Sequence, residues 1–277
     1  MNGNRSFEIR HFGMEQLEPL VALSAGVGWN QPAGEIREVI ARSGKYLVGA
    51  FAGEELVGVA AGYPYPDGGF VYINEVIVRE DWRRCGVATA LMERILALVA
   101  GDYPTQRLCA TAMGRPLYAR FGFFPYATLS FGDFGSSADL PVADGEFIPL
   151  TDSELTAAGR LDRENFGADR SALIASLVRS APGDAWCLRR GGRAAGFIVR
   201  APMNWLFQCS SGADMAALLR YANARSARGP LPALLHKEHV ELLGVAFDEH
   251  FQLTLMQRGT AVPPPGVSFS GFLPDIG

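Results

Sequence analysis

The chain has few lysines and no long uncharged apolar run, and each shortage excludes a class of protein. Only two of its 25 basic residues are lysines, and the formal net charge is -4, so no basic cluster favours binding to nucleic acid. No stretch of about 18 apolar residues lacks a charge, and the first residues contain no apolar leader. We therefore expect a protein that neither binds nucleic acid nor enters a membrane.

Cysteine and histidine are also scarce, and neither is arranged as a metal site or a disulfide framework. The four cysteines, Cys85, Cys109, Cys187 and Cys209, are far apart and form no Cys-x-x-Cys pair. His236 and His239 are close in sequence, but the polar start of a helix accounts for them. We therefore predict free thiols, no metal and a reducing cytoplasmic location.

The apolar content is sufficient for two folded domains. Hydrophobic residues make up 48% and charged residues 19% of the 277 residues, and that length exceeds the roughly 100 to 200 residues of one domain. Between Phe131 and Gly145 the sequence turns to Gly, Ser, Asp and Pro and shows neither helical nor strand periodicity. These features predict a domain over residues 1–135, a linker over 136–145, a second domain over 146–260 and a Pro-rich tail over 261–277.

Both halves show the same order of predicted elements. In the first, two short helices precede apolar runs at 46–52, 56–63 and 70–78, which are joined by turns into an antiparallel meander. A helical period then runs from 86 to 99, followed by a strand at 107–112 and a short helix at 116–121. Residues 153–256 repeat this order, which indicates a degenerate internal duplication, judged from order rather than identity.

The most informative segment runs from a strand through a basic loop into a helix. Arg83 and Arg84 precede Gly86, where the helical period begins, and Ala88 follows. Unpaired N–H groups and the positive end of the helix dipole favour an anion at such a helix start, and glycine allows close approach of a ligand. The alternative is an ordinary solvated turn. The glycine motifs of the Walker loop and of the dinucleotide-binding fold are incomplete elsewhere in the chain.

Two motifs in this half resemble those of the GNAT superfamily of N-acetyltransferases. The segment 83–88 (Arg-Arg-Cys-Gly-Val-Ala) is similar to the family signature Arg/Gln-x-x-Gly-x-Gly/Ala, and 117–123 (Leu-Tyr-Ala-Arg-Phe-Gly-Phe) is similar to the family ending Leu-Tyr-x-x-x-Gly-Phe. The resemblance implies an α/β (α+β) fold with a mixed, mostly antiparallel central sheet and flanking helices, followed by a second, degenerate GNAT-like half. It also implies acetyl-CoA as donor, with the pyrophosphate held by Arg83, Arg84, Cys85, Gly86, Val87, Ala88 and Thr89.

The second half resembles a bacterial tandem subgroup, the YitH-like acetyltransferases. The similar segments are 161–170 and 255–259, and Gly28-Trp29-Asn30 in the first half fits the same subgroup. The second half departs from it at 207–211, where a Gly-Pro is expected, and it lacks the Arg-x-x-Gly-x-Gly/Ala signature. We therefore predict one donor site per chain.

The resemblance also implies roles for individual residues. The backbone of Val76, Ile77 and Val78 would bind the pantetheine, because the fourth strand of this fold diverges from the fifth. Tyr118 matches the general acid of the family; its alternative role is aromatic packing.

Two further sets of residues are candidates by position. Glu75 lies just before the pantetheine-binding segment and could accept the amine proton, or it could be a solvated or ion-paired strand carboxylate. Trp29, Asn30, Tyr63 and Tyr72 are candidates for the acceptor pocket, although packing explains each of them as well.

The function expected from these features is direct transfer of an acetyl group from acetyl-CoA to a primary amine of a small molecule, in a ternary complex. The isolated position of Cys85, with no histidine near it in sequence, argues against an acyl-cysteine intermediate. The alternatives are a non-catalytic acyl-CoA-binding sensor or scaffold and a protein N-acetyltransferase. The oligomeric state is left open.

Overall fold

Two sheets flanked by helices make up the fold. The computed structural model describes residues 5–29, 31–134, 139–140 and 144–260, together with the backbone of residues 269–271. The strands of the first sheet are β1 (Glu8–His11), β2 (Leu47–Ala52), β3 (Glu55–Tyr65), β4 (Phe70–Val78), β5 (Thr105–Ala110), β6 (Phe124–Phe134), β11 (Ala233–His236) and β12 (Phe247–Gly259). Their order is β1-β2-β3-β4-β5-β12-β6-β11. Of these described pairs, β4–β5 is parallel and the others are antiparallel.

Helices cover both faces of the first sheet. The helices α1 (Leu17–Gly26) and α2 (Ala33–Ser43) pack on one face, and α3 (Val87–Val99) packs on the other. In α3 the apolar residues recur at helical spacing, so Val87, Leu91 and Ile95 form one buried stripe. A short helix, α4 (Arg115–Arg120), follows β5. Alternation along β4 sends Phe70 and Tyr72 to the α1–α2 face and Val71 and Ile73 to the α3 face.

The second sheet comes from the second half of the chain. Its strands are β7 (Glu146–Pro149), β8 (Ala185–Arg190), β9 (Arg193–Arg200), β10 (Trp205–Cys209) and β13 (Phe269–Gly271), in the order β13-β10-β9-β8-β7. The helices of this half are α5 (Asp152–Phe166), α6 (Ser171–Ser180), α7 (Gly212–Arg225) and α8 (Lys237–Leu243). In the described part of the chain, no helix is long and apolar enough to span a membrane.

The two halves share the first sheet. Strand β12 lies between β5 and β6, where Met256 is registered with Leu108 on one side and with Pro125 on the other. Strand β11 continues the sheet beyond β6. Strand pairing in the first sheet therefore joins residues of the two predicted domains, 1–135 and 146–260. The boundaries of these domains stay a prediction.

A second contact joins the β3–β4 turn to the end of α5. The ring of Phe166 lies 4.9 Å from Tyr65 and 5.6 Å from Phe70, measured between ring centroids. A Cβ on Gly68 would lie 2.6 Å from the carbonyl oxygen of Gly167, a distance that no side chain there could accommodate. The α5–α6 segment therefore packs directly against the tip of the β3–β4 hairpin.

Most predicted elements are present, with one correction beside the predicted linker. Residues 131–134 were expected to lack strand periodicity, but they form the end of β6 and pair with β11 and β12. Gly132 and Asp133 separate Phe131 from Phe134 and so break the apolar–polar alternation of a strand. The strands that pair with this segment come from the distant second half, so no local signal predicts it. Of the linker at 136–145, only 139–140 and 144–145 are described, and most of the 261–277 tail lies outside the described residues.

Candidate functional site

The candidate site begins where β4 and β5 stop pairing. Their parallel register runs from Phe70 with Thr105 to Ile73 with Leu108. Beyond Ile73, β4 continues to Val78 and pairs with β3, but within the described residues it has no registered partner on β5. The backbone of Val76, Ile77 and Val78 therefore borders an opening in the sheet, where unpaired N–H and C=O groups require a partner.

A bulge at this opening changes the face to which β4 directs its side chains. Asn74 and Ile77 are registered with Ala61 and Val59, so β4 uses one residue more than β3 over this interval. Glu75 lies in the bulge and has a φ of 51°, a left-handed conformation that is costly for a residue other than glycine. Bulges of this kind redirect a side chain next to a functional site.

The redirected Glu75 carboxylate is buried and receives a hydrogen bond from Gln31. The residue is 1% exposed, and its Oε1 accepts from Gln31 Nε2 at 2.9 Å. The amide of Gln31 is oriented in turn by Ser24, whose hydroxyl donates to Gln31 Oε1 at 2.7 Å. One alternative left open by the sequence, that Glu75 is a solvated strand carboxylate, is therefore wrong. It is held in place from α1 through two neutral side chains.

The predicted anion-binding loop leads into α3 with its backbone exposed. Gly86 is the N-cap of α3 with a φ of 85°, and no heavy atom lies within 4 Å of the position that a Cβ would occupy. Arg84 also has a positive φ, of 62°. The first turn of α3, which begins with Val87, Ala88 and Thr89, contains no acidic residue. Its free amides and the helix dipole can therefore act on an anion without an internal carboxylate competing for them.

Contacts on the other side of the loop hold it rigidly. Trp82 is 7% exposed, and its ring lies 6.4 Å from that of Phe7 and 5.1 Å from the guanidinium carbon of Arg5. Arg5 also donates to the carbonyl oxygen of Asp81 at 2.7 Å. Among the described residues, Arg83 makes one long ion pair, with Glu80 at 3.7 Å, so little there holds its guanidinium away from a ligand. Cys85 directs its thiol to the carbonyl oxygen of Arg83 at 3.6 Å, within the loop itself.

Tyr118 stands on α4 beside the end of β5. It is 8% exposed, and its ring makes an edge contact with Phe123 at 6.2 Å. A Cβ on Gly114 would lie 2.9 Å from Tyr118 Cε2, so glycine is what allows the ring to pack onto its own helix start. Burial, and to a smaller degree the nearby Cys109, raises the pKa of Tyr118 above its ordinary value. The phenol therefore remains a proton donor at every physiological pH.

The four candidates for the acceptor pocket occupy different environments. Tyr63 and Tyr72 are registered partners on β3 and β4 and are 1% and 2% exposed, so both belong to the core on the α1–α2 face. Trp29 follows α1 and is 38% exposed. Asn30 lies outside the described residues. Tyr72 is closest to the opening, since it precedes the end of the β4–β5 pairing by one residue.

Several residues of this site were not found from the sequence. Gln31 and Ser24 form the link to Glu75, and Arg107, Cys109 and Gln257 lie on the strands beside the opening. Strand alternation was a usable signal for Arg107 and Cys109, which share a face of β5. No local signal places Gln257 there, because its position depends on the insertion of β12.

The equivalent strand–helix junction in the second half is closed. Ser211 caps α7: its hydroxyl oxygen accepts from the amide of Asp214 at 3.1 Å. Asp214 lies in the first turn of α7 and pairs with Arg190 at 2.6 Å. Beside it, β10 is paired with β13, so this edge has no opening like that beside β4. A carboxylate therefore occupies the helix start where a phosphate would bind, which favours one donor site per chain.

Two histidines of the second half that are close in sequence also lie close together in the structure. His236 and His239 face each other with ring centroids 5.2 Å apart. Burial and the neighbouring His239 lower the pKa of His236 to about 4. Throughout the part of the chain that the structure describes, no group of three or more His, Cys, Asp or Glu side chains could hold a metal ion.

Comparisons with known proteins agree with this geometry. Residues 14–123 match the model of the Acetyltransferase (GNAT) family. The chain is 23% identical over 241 residues to the uncharacterized N-acetyltransferase YitH of Bacillus subtilis, covering 82% of each protein. A shorter match, 38% identical over 55 residues, covers 20% of the chain and 28% of the aminoglycoside 2'-N-acetyltransferase of Mycolicibacterium fortuitum.

Solved structures resemble the whole chain, including its second half. A protein from Pyrococcus horikoshii superposes with a TM-score of 0.79 at 17% identity, covering 98% of this chain and 96% of its own. A GCN5-related N-acetyltransferase from Sphaerobacter thermophilus gives a TM-score of 0.62 at 14% identity and covers 91% and 95% of the two chains. These likenesses confirm the predicted mixed α/β fold with a mostly antiparallel sheet. Together with the family match, they show that residues 14–123 carry a GNAT acetyltransferase domain.

Proposed function

We propose that the chain is an acetyl-CoA-dependent N-acetyltransferase that modifies a primary amine of a small molecule. The observation that carries this proposal is the opening beyond Ile73 and Leu108. A buried carboxylate, Glu75, borders it from β4, and a buried phenol, Tyr118, lies beside the end of β5. The match of residues 14–123 to the GNAT family model and the unblocked start of α3 support acetyl-CoA as the donor.

Acetyl transfer requires one proton to be accepted and another to be donated. The bond that breaks joins the acetyl carbon to the sulfur of the donor, and the bond that forms joins the same carbon to the amine nitrogen. Glu75 accepts the proton that the amine loses, directly or through a water molecule, and Tyr118 donates a proton to the departing thiolate. The free backbone of Val76 to Val78 holds the pantetheine and polarises the carbonyl. Transfer is direct, without an acyl-enzyme.

The donor site is tested by a thermal melt with and without acetyl-CoA. Ligand at about a hundredfold over its Kd adds roughly 2.7 kcal/mol to the free energy of unfolding. Each kcal/mol raises the melting temperature by roughly 2 to 4 °C in a chain of this size, so we expect a shift of several degrees. The variant carrying Arg83→Ala and Gly86→Asp is expected to lose the shift, because it removes a cation and places a carboxylate at the helix start.

A matched control separates the charge from backbone strain. Gly53 also has a positive φ, of 63°, with open space around its Cβ position, but it lies in the turn between β2 and β3. Gly53→Asp should keep the full acetyl-CoA shift. If Arg83→Ala/Gly86→Asp keeps the shift as well, the loop is not the donor site; if the unmodified protein shows no shift, the acetyltransferase proposal fails.

Catalysis is tested separately from binding. Tyr118→Phe should keep the acetyl-CoA-induced shift but lower kcat by roughly 10² to 10³, since a positioned acid contributes that much. Glu75→Gln should lower kcat by more than about tenfold. Donor binding without turnover in the unmodified protein, on a broad amine panel, would instead favour a non-catalytic acyl-CoA sensor. Turnover on peptides alone would favour a protein N-acetyltransferase.

The cellular location is part of the same proposal. None of the four cysteines, Cys85, Cys109, Cys187 and Cys209, all of which the structure describes, is in a disulfide. Thiols stay reduced in the cytosol, whereas disulfides form in oxidising compartments. We therefore place the protein in the cytoplasm, which fractionation of the producing cells would test.

A further inference from the structure

Arg107 is a buried cation at the base of the opening. It lies on β5, is 4% exposed, and is registered with Tyr72 on β4 and with Gln257 on β12. The next residue, Leu108, makes the last registered pair with β4. The guanidinium therefore lies at the edge of the opening, on the α1–α2 face of the sheet, where its carbon packs 4.2 Å from the centre of the Phe70 ring.

The hydrogen-bonding capacity of Arg107 is only partly used. Its Nε donates to Gln257 Oε1 at 3.1 Å, and its Nη1 makes a long contact with the carbonyl oxygen of Phe166 at 3.5 Å. Its Nη2 is buried and has no hydrogen-bond partner among the described residues. A guanidinium has five N–H donors in a planar fork, so one face of the fork is available to an acceptor.

The charge of Arg107 is also unbalanced. In the described part of the chain it makes no ion pair with a carboxylate, and the titratable groups that act on it are the phenols of Tyr126 and Tyr72. Burial raises the pKa of Tyr126 to about 12, so that phenol is neutral. Burial also lowers the pKa of Arg107 itself. A cation taken out of water without a counter-ion is costly.

Another arginine in the same chain shows how such a cost is normally offset. Arg170 is equally buried, but it forms a two-pronged ion pair with Asp162, from Nη2 at 2.7 Å and from Nε at 2.9 Å. Gln208 adds a donor to the same carboxylate at 3.3 Å. Arg107 thus differs from Arg170 in lacking an internal anion, and a bound ligand can supply one.

The position of Arg107 relative to the reacting groups identifies that ligand. Cys109, two residues further along β5, lies on the same face about 7 Å away at the usual strand rise, and it interacts electrostatically with Tyr118 and Tyr126. Cys109 and Tyr126 are partly exposed, whereas Arg107 is buried. An acceptor that enters over Cys109 would bring its inner end to Arg107 and leave its amine near the opening.

We propose that Arg107 binds a carboxylate of the acceptor, so that the substrate is an amine that also carries a carboxylate, in the class of the amino acids. A carboxylate matches the single charge and the planar fork of the guanidinium. The inference rests on the proposed acetyltransferase function and adds the chemical class of the acceptor. Arg107 is proposed as a specificity-determining residue, since it would bind the carboxylate of the acceptor and not the amine or the acetyl group that react.

The test compares amines that differ only in the carboxylate. Release of free thiol from acetyl-CoA is measured with the L-amino acids and with their carboxamides. The unmodified protein should prefer its best amino acid over the matching carboxamide by about a hundredfold or more in kcat/KM, because a buried polar site rejects an analogue that leaves it unpaired. In Arg107→Gln the preference should fall to less than about tenfold, through loss of activity on the amino acid.

Two controls distinguish specificity from folding. Arg179 is exposed at the end of α6, and Arg179→Gln should keep the full preference. The acetyl-CoA-induced shift in melting temperature should persist in Arg107→Gln, which reports an intact donor site. If the carboxamides are used as well as the amino acids, or if Arg107→Gln keeps the preference, Arg107 is not the determinant.

The proposed function and the acceptor class fail in different ways. Turnover without any preference for carboxylates would refute the role of Arg107 and leave the acetyltransferase intact. The second readout is the melting temperature in the presence of coenzyme A and each probe. Suppose that amino acids shift the melting temperature, that carboxamides do not, and that Arg107→Gln loses the shift, but that no amine is acetylated. That result would support the carboxylate site and refute the proposed enzymatic activity. If amino acids produce no shift in melting temperature and no preference over carboxamides is seen, the proposed carboxylate site is refuted.

Discussion

Removal of the carboxylate from the buried pair Asp162–Arg170 should be among the most destabilising single changes in the chain. The side chains are 0% and 1% exposed, and two hydrogen bonds of 2.9 and 2.7 Å join them. Asp162→Asn would leave the Arg170 guanidinium without a counter-ion in a site closed to water. Breaking a buried ion pair from one side costs about 3 to 5 kcal/mol, because the remaining charge is neither paired nor hydrated.

The expected magnitude is well above experimental error. At roughly 2 to 4 °C per kcal/mol, the melting temperature should fall by about 6 to 20 °C. Urea unfolding followed by tryptophan fluorescence gives the free energy directly, and an unchanged m-value would show that the loss is one of stability. A loss below about 1 kcal/mol would refute the reasoning, since that is the range of exposed pairs.

Two further variants make the comparison quantitative. Asp81 pairs with Arg79 and Arg5, but its side chain is 51% exposed, so Asp81→Asn should destabilise the protein far less than Asp162→Asn does. Replacing both partners, as Asp162→Leu with Arg170→Met, should recover much of the loss because no buried charge is left.

The substitution Asp162→Asn should also affect substrate binding. Since Phe166 stacks on Arg170 at 3.9 Å and also contacts Phe70, Asp162→Asn should raise the KM for the acceptor more than the KM for acetyl-CoA.

Three other perturbations have expected outcomes of known direction. Gly68→Val should lower the melting temperature, since its Cβ would lie 2.6 Å from a backbone oxygen of Gly167; Gly34→Val, at an open position in α2, is the control. The free energy of unfolding should fall from pH 6.5 to pH 4 by up to about 3 kcal/mol through His236, because its pKa of about 4 lies below the unfolded value of 6.5. The unfolded chain then binds a proton that the folded one does not, so His236→Gln should flatten this dependence. In kcat, the loss of Tyr118 as an acid should occur only above about pH 10, because burial raises its pKa.

Each of these expectations would be refuted by a specific result. Equal melting temperatures for the two glycine variants would mean that the β3–β4 turn and the end of α5 separate in solution. An unchanged acid dependence in His236→Gln, measured beside His250→Gln as an exposed control, would assign the acid sensitivity to other groups. A fall in kcat between pH 7 and pH 9 that disappears in Tyr118→Phe would mean that this phenol has a lower pKa in the complex.

The sequence allowed the first half to be predicted in detail because its signals are local. Strand runs separated by Gly-rich turns, the helical stripe of α3 and the loop at Arg83 to Gly86 depend on neighbouring residues alone. The position of Tyr118 is local as well, since it follows from its own short helix. The burial of Glu75 could not be predicted, because it results from one extra residue in β4 and from Gln31, which reaches it across the fold.

The features that depend on distant segments were invisible from the sequence. Arg107 is a polar residue in an apolar strand, and without knowledge of its partners it could have been a solvated edge residue. Its burial requires Gln257 on one side and Phe166 on another, both more than 50 residues away in sequence. The same holds for 131–134, whose strand is stabilised by partners that follow about 100 residues later.

The insertion of β12 between β5 and β6 has a consequence for biosynthesis. A ribosome that has released residues 1–135 has delivered the loop, Glu75 and Tyr118, yet the two strands that β12 separates still have open edges facing each other. Such edges invite wrong pairing or aggregation until their partner arrives, and Phe247 to Gly259 are made more than 100 residues after β6. The nascent chain therefore cannot close its first sheet until β12 has emerged, so a fragment ending before β12 would carry every proposed reacting group and still lack the strand that completes their support.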